Sequence, residues 1–270
     1  MSLVETDWLE KNIGSVKIID CSWHMPQTKR NGLEEYKNQH IPNSIFFDLD
    51  ENSRKDTKLP HMLVDINEWN EIVSNMGIKN DDKIVIYDNS DVISSCRCWF
   101  NFIYFGHDPN LVHVLNGGLK KWIKEKKIIT NNKTEIFETK YESLENNKLV
   151  KNKNQIDENI NKNEFVVIDA RSKERFEGKE PDPRKNVRSG SIPNSFCLPY
   201  KEMIKEDNTF KNLSDISKKF DQIIDLKNSN MVFSCGSGVT ACVLALAYSL
   251  VNNKYSPKIY DGSWAEYGKI

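Results

Sequence analysis

The sequence predicts an α/β protein built from two similar halves, each a parallel sheet flanked by helices. Three observations carry that expectation. Short, continuous apolar runs alternate with stretches of helical character, the pattern of strands buried on both faces. The tetrapeptide Ile-Pro-Asn-Ser occurs at residues 41–44 and again at residues 192–195. The landmarks around it recur in the same order in both halves, as a duplicated domain would have them.

Taken in order, the first half opens with Val16-Lys17-Ile18-Ile19-Asp20, an apolar run ending in an aspartate, and the second with Phe165-Val166-Val167-Ile168-Asp169. Ile-Pro-Asn-Ser then leads into Ile45-Phe46-Phe47 in one half and Phe196-Cys197 in the other. A further strand is expected at residues 83–88 and at 230–235, each followed by a helical stretch. A last strand at 111–115 runs into Asn116-Gly117-Gly118, and its counterpart, Lys258-Ile259-Tyr260, runs into Asp261-Gly262-Ser263-Trp264. Residues 130–163 are rich in Asn, Lys and Glu and poor in apolar residues until an amphipathic segment around Ile156 and Ile160. The expected division is therefore a first domain over 1–130, a linker over 131–147 and a second domain over 148–270.

Composition narrows the function classes. With 270 residues, 38% hydrophobic and 29% charged, the chain is suited to packed globular domains. Thirty-eight Lys and Arg against 39 Asp and Glu leave a net charge of -1, and no stretch concentrates one sign, so no nucleic-acid partner is expected. The longest apolar run, residues 239–251, is broken by Thr240, Tyr248 and Ser249 and is too short to cross a bilayer. The acidic start, Glu5 and Asp7, lacks the basic head and apolar run of a signal peptide. Six cysteines without Cys-x-x-Cys spacing predict no metal site and a reduced, cytoplasmic compartment.

The most informative stretch is Met231-Val232-Phe233-Ser234-Cys235-Gly236-Ser237-Gly238-Val239-Thr240-Ala241, a strand running through a small-residue loop into a helix. There a thiol meets the positive end of a helix dipole and several free backbone N–H groups. Both favour the thiolate and lower the pKa below the free value of ~8.5. Gly236 and Gly238 clear space for a large atom beside the sulfur. The competing reading of the loop alone is a turn whose cysteine is a small buried hydrophobe. A nucleophile at 235 must be reachable from solvent and face those N–H groups.

Cys235-Gly236-Ser237-Gly238-Val239-Thr240-Ala241 resembles the active-site loop of the 3-mercaptopyruvate sulfurtransferases of the rhodanese superfamily. The likeness runs along nearly the whole chain: His40-Ile41-Pro42 and Phe46-Phe47-Asp48, then Asp169-Ala170-Arg171 with Arg175-Phe176, then Asp261-Gly262-Ser263-Trp264. It implies two tandem rhodanese-like domains and no cofactor. It also implies a reaction in which Cys235 takes sulfur from 3-mercaptopyruvate as a persulfide, releasing pyruvate. The sulfur then passes to cyanide or to a thiol such as thioredoxin or a small thiol.

The resemblance assigns further roles by position. Arg175 and Arg184, in Arg175-Phe176-Glu177-Gly178-Lys179-Glu180-Pro181-Asp182-Pro183-Arg184, match the arginines that clamp the donor, a task suited to a planar fork of donors. Gly236, Gly238, Val239 and Thr240 match the loop around the donor. Ser237, His61 and Asp50 match a proton relay, with His61 and Asp50 supplied by the first domain and the site lying between the domains. On local residues alone, His61 reads as a loop histidine and Asp50 as a cap or turn residue. Arg171 is expected in a structural salt bridge. The first half carries Asp88 where the second has Cys235, and an aspartate forms no persulfide.

Two residues depart from the family pattern, Ser191 where a histidine commonly stands and Val64 where a proline is usual; neither is the nucleophile or a clamp arginine. Thiosulfate sulfurtransferase is the nearest alternative, but its loop carries cations after the cysteine, and Gly236-Ser237-Gly238 has none. A phosphatase of this fold needs an arginine closing a longer loop, where Thr240-Ala241 stands. A noncatalytic binding or sulfur-carrier module is the alternative of another class. Cys242, Cys96 and Cys98 are expected to serve packing.

Overall fold

The computed structural model describes residues 2–223 and 230–270. By their contacts these form two compact units. The first comprises Met1–Arg54, Leu63–Asn146 and Glu206–Phe210; the second comprises Lys55–Met62, Asn147–Lys205 and Lys211–Ile270.

In the first unit the elements run β1 (Leu3–Val4), α1 (Thr6–Asn12), β2 (Lys17–Asp20), α2 (Gly32–Asn38), β3 (Ser44–Phe46), α3 (Ile66–Asn75), β4 (Ile84–Tyr87), α4 (Ser95–Tyr104), β5 (Val112–Leu115) and α5 (Gly118–Lys124). The strands pair in the order β1-β5-β4-β2-β3, all in parallel. Every residue of β4 and β5 is buried, as apolar strands covered by helices on both faces must be. Ile18, Val85, Tyr87 and Leu115 from the sheet pack with Leu9, Leu119 and Trp122 from α1 and α5.

The second unit contains β6 (Val150–Lys151), α6 (Lys153–Lys162), β7 (Val166–Asp169), α7 (Lys173–Phe176), β8 (Phe196–Cys197), α8 (Leu213–Asp221), β9 (Met231–Ser234), α9 (Ala241–Val251), β10 (Ile259–Tyr260) and α10 (Ser263–Tyr267). Its sheet order, β6-β10-β9-β7-β8, is the same permutation, again all parallel. The amphipathic segment around Ile156 is α6, which opens with a capping box between Asn152 and Gln155 and turns Ile156 into a core with Val167, Val232, Tyr260 and Trp264. Helix α9 is buried from Ala241 to Tyr248, which is why its sequence is apolar on every face.

The duplicated tetrapeptide has a conformational reason. Asn43 and Asn194 both take left-handed backbone angles, φ 65° and 59°, just before the edge strands β3 and β8, and asparagine tolerates that region better than most residues. Residues 131–146, where a linker is expected, carry no helix or strand. Their side chains bond into the first unit, with Thr134 Oγ1 donating to Ser44 O at 2.7 Å and Thr139 Oγ1 to Ile78 O at 2.6 Å.

Candidate active site

Cys235 follows the last residue of β9, and Thr240 precedes α9. The loop between them is tied down by its carbonyls. Trp264 N–H donates to Cys235 O at 2.9 Å and Ala265 N–H to Gly236 O at 3.0 Å. Across a trans peptide the C=O and the following N–H point in opposite directions. Fixing these two carbonyls against α10 therefore turns the N–H groups of Gly236 and Ser237 the other way, into the loop. Among the described residues, the N–H groups of Gly236, Ser237, Val239 and Thr240 donate to no backbone carbonyl. The cap residue Thr240 makes no side-chain bond to α9 either. The loop thus offers amide donors at a helix N-terminus, the elements of an anion cradle.

Gly238 holds φ 77°, a conformation in which a side chain would be strained. Ser263 takes φ 48°, and its Oγ accepts from Cys235 N–H at 3.2 Å while donating to Tyr260 O at 2.8 Å. Strain at position 263 accompanies the anchoring of the cysteine.

Cys235 is only 1% exposed, which corrects the expectation of a thiol open to solvent. Small loop residues let the chain close over the sulfur. Gly236, Ser237 and Thr240, around it, are half-buried. Val239 is buried at 3% exposure.

Both expected arginines converge on this loop. A Cβ built on Gly236 would lie 3.4 Å from Arg184 Nη2 and 3.9 Å from Arg175 Nη2, so both guanidiniums stand within contact distance of that position. Arg184 Nη1 donates to Gly236 O at 2.6 Å. Arg175 Nε is buried with no hydrogen-bond partner among the described residues.

Sequence reasoning missed the residue that joins the two. Asp182 Oδ1 accepts from Arg184 Nε at 2.8 Å, and Oδ2 accepts from Arg184 Nη2 at 2.9 Å and from Arg175 Nη2 at 2.7 Å. Its side chain is 1% exposed. Burial pushes that carboxyl up, but the hydrogen bonds and charge of Arg184, with a bond from Arg175, outweigh it and hold the group down at about 2. An acidic residue two positions before Arg184 was the available signal.

His61 and Ser237 do meet, with Nδ1 and Oγ 2.9 Å apart. His61 is 6% exposed and sits at φ 59°, an uncommon conformation for a histidine. Expected from the first domain, it lies instead in Lys55–Met62, which groups with the second unit by its contacts. Asp50 belongs to the first unit, where it is exposed and its Oδ2 accepts from Trp23 Nε1 at 2.9 Å.

Arg171 has the expected structural role. It pairs with Asp169 at 2.7 Å, both side chains 2% exposed, and its guanidinium stacks 4.5 Å from the Trp264 ring centre. Cys242, Cys96 and Cys98 are buried, and Cys242 Sγ donates to Gly238 O at 3.1 Å. An open groove of about 1090 Å³ lies in the first unit beside Lys17, Ile45, Lys79, Ile129, Lys133 and Phe137 and includes none of the candidate residues. Chemistry rather than cavity size therefore marks the site. Among the described residues no His, Cys, Asp and Glu cluster could hold a metal ion, and no helix is long and apolar enough to cross a membrane.

Comparison with known proteins agrees with this geometry. The family described as "Rhodanese-like domain" matches residues 5–125 and 152–269. The chain is 37% identical to thiosulfate/3-mercaptopyruvate sulfurtransferase 1, mitochondrial, of Arabidopsis thaliana, over 98% of this chain and 75% of that one. It is 31% identical to the human 3-mercaptopyruvate sulfurtransferase, over 98% of this chain and 91% of that one. The crystal structure of SseA from Escherichia coli, described among 3-mercaptopyruvate sulfotransferases, superposes with a TM-score of 0.88 at 29% identity, covering 98% of this chain and all of that one.

Proposed function

We propose, because this chain belongs to the rhodanese-like domain family, that it is an enzyme carrying sulfur from 3-mercaptopyruvate to a thiol acceptor or cyanide through a persulfide on Cys235. The observation that carries the proposal is the pair of guanidiniums beside Gly236, next to the candidate nucleophile. The names borne by its relatives support the reaction class.

Arg175 and Arg184 take the carboxylate and keto oxygen of the donor. The Cys235 thiolate attacks the donor sulfur. The carbon–sulfur bond breaks, its electron pair passes into the enolate of pyruvate, and a proton completes the product. Ser237, with His61 at hydrogen-bond distance, polarises the keto oxygen or delivers that proton. Amide groups from Gly236 to Thr240 stabilise the outer, anionic sulfur of the persulfide, and Gly238 and Val239 shape the space around it. Thioredoxin, a small thiol or cyanide then attacks that sulfur, the sulfur–sulfur bond breaks, and Cys235 returns as thiolate.

A thiosulfate sulfurtransferase is the second reading, supported by the name of the Arabidopsis relative. The uncharged run Gly236-Ser237-Gly238 favours the keto acid over the dianion. A noncatalytic sulfur carrier is the remaining alternative. We further propose a first domain over 1–130 without a nucleophile, a linker over 131–147 and a catalytic domain over 148–270. Six cysteines without Cys-x-x-Cys spacing support a reducing, cytoplasmic location, to be checked by fractionation.

The deciding experiment measures pyruvate from 3-mercaptopyruvate with a thiol acceptor, thiocyanate from thiosulfate with cyanide, and hydrolysis of an aryl phosphate. The first is expected to exceed the second by about tenfold or more in kcat/KM, with none of the third. Absence of pyruvate release would overturn the proposal.

A further inference from the structure

We propose that Asp182 is the residue that positions the donor clamp and sets its charge selectivity, an inference that rests on the donor-binding role of Arg175 and Arg184. Two guanidiniums stand within 4 Å of the same glycine position. Like charges that close repel one another unless an opposite charge stands with them. The Asp182 carboxylate supplies it, taking two bonds from Arg184 and one from Arg175 on its two oxygens.

Those bonds also set direction. A planar guanidinium gripped along its Nε–Nη2 edge has no freedom to rotate, so the remaining Nη1 of Arg184 is aimed at the cysteine loop, where it meets Gly236 O at 2.6 Å. The Arg184 backbone adds a local lock, its N–H donating to the same Oδ1 at 3.0 Å. With its side chain 1% exposed, the carboxylate is shielded from exchange with water.

The charge balance selects the donor. Two arginines and one aspartate leave a single net positive charge, which suits a keto acid carrying one carboxylate better than dianionic thiosulfate. Removing the aspartate's charge loosens the guanidiniums and leaves two positive charges, so the keto acid is bound less well while the dianion gains.

The test compares the full-length protein with Asp182→Asn and Asp182→Glu. Pyruvate is titrated as a turnover-independent probe, and kcat and KM are measured with 3-mercaptopyruvate and with thiosulfate. Asp182→Asn is expected to weaken pyruvate binding by roughly 10- to 100-fold and to raise the 3-mercaptopyruvate KM more than it lowers kcat. The kcat/KM ratio of mercaptopyruvate to thiosulfate should fall about tenfold or more, with Asp182→Glu keeping it within about threefold of the wild-type value. Should Asp182→Asn not fold, Asp182→Ser takes its place, since it also removes the charge. Unchanged pyruvate affinity, no pyruvate binding by the wild type, or a parallel loss for both donors tracking a lower unfolding temperature would each overturn the proposal. If the wild type releases no pyruvate from 3-mercaptopyruvate, the sulfur-transfer reading fails, and the pyruvate affinities still decide the role of Asp182.

Discussion

The loop after β4 and the loop after β9 are the same piece of backbone put to opposite uses. Leu119 N–H donates to Asp88 O at 2.9 Å as Trp264 N–H donates to Cys235 O at 2.9 Å, so positions 88 and 235 correspond in three dimensions as well as in sequence. In the first unit Asp88 Oδ1 accepts from Ser90 N–H and Oδ2 from Ser95 N–H, both at 2.8 Å. The chain fills its own anion cradle with a carboxylate. Burial raises that carboxyl, and the hydrogen bonds of Ser95 and Ser90 with the charge of Lys120 pull against the rise. In the second unit, a cysteine and two glycines leave the amide donors of the loop for a bound anion. The first cradle is filled by its own carboxylate; in the proposed reaction the second receives the anion of the substrate.

The surroundings diverge to match. Helix α7 carries Arg175 between Glu174 and Phe176, whereas α2 carries Glu35 between Glu34 and Tyr36. Glu35 is already engaged by Arg30 at 2.7 Å and Asn89 at 2.8 Å. From α7 to the second Ile-Pro-Asn-Ser the chain makes a long excursion that holds Asp182 and Arg184; α2 ends at Asn38, and His40-Ile41-Pro42 follows almost at once. A duplicated domain keeps its strands because they form the core, and changes its connections because the surface tolerates it.

The sharpest way to break this comparison is to exchange the two residues. Cys235→Ser should lower turnover at least about a thousandfold and abolish the persulfide mass increment seen by mass spectrometry. Placing a thiol in the other cradle by Asp88→Cys in that background should restore none of it, since Glu35 stands where Arg175 would be needed. Recovery of pyruvate release would show that the loop backbone alone suffices.

A second contrast lies at the ends of β2 and β7. Asp169 has Arg171 two residues on, in a buried pair, while Asp20 has Ser22 there. Removing one partner of a buried ion pair strands the other. Asp169→Asn should therefore destabilise the protein by about 3–5 kcal/mol in chemical denaturation. A loss below about 1 kcal/mol would show that the pair contributes little, as exposed pairs do.

Asp20→Asn should act the other way. Burial pushes Asp20 up to about 7, against the hydrogen bonds of Ser22 and Tyr87, and the charge of Asp88 adds to the rise. A carboxyl raised above its unfolded value binds its proton more tightly in the native state. The stability this contributes is full below about pH 4 and is lost as pH climbs through about 7. At pH 8 the wild type bears that cost and the asparagine variant does not, a difference of up to about 4 kcal/mol in favour of the variant. Stabilities measured at pH 4 and pH 8 should converge at the lower value; a gap that does not depend on pH would refute the assignment.

Much of the architecture was legible before any coordinates. The runs containing Ile18-Ile19, Val85-Ile86, Val167-Ile168 and Val232-Phe233 became the central parallel strands, because a strand covered on both faces must be apolar throughout. The repeated Ile-Pro-Asn-Ser tetrapeptide marked the duplication, and its asparagines proved to hold left-handed turns. Less legible was the company each site residue keeps. His61 is separated from Ser237 by 176 positions, and no local pattern announces their meeting at 2.9 Å.

What the sequence determined by itself was therefore the repetitive part: alternating strands and helices, the small-residue loop and the identity of its cysteine. These follow from local periodicity and residue size, which act over a few positions. Tertiary structure alone decided that Asp182 bridges two arginines, that Lys55–Met62 joins the second unit and that Cys235 lies beneath the surface. Burial and pairing depend on what distant segments bring to the same place, and a hydrogen bond between residues far apart in the chain leaves no period to read.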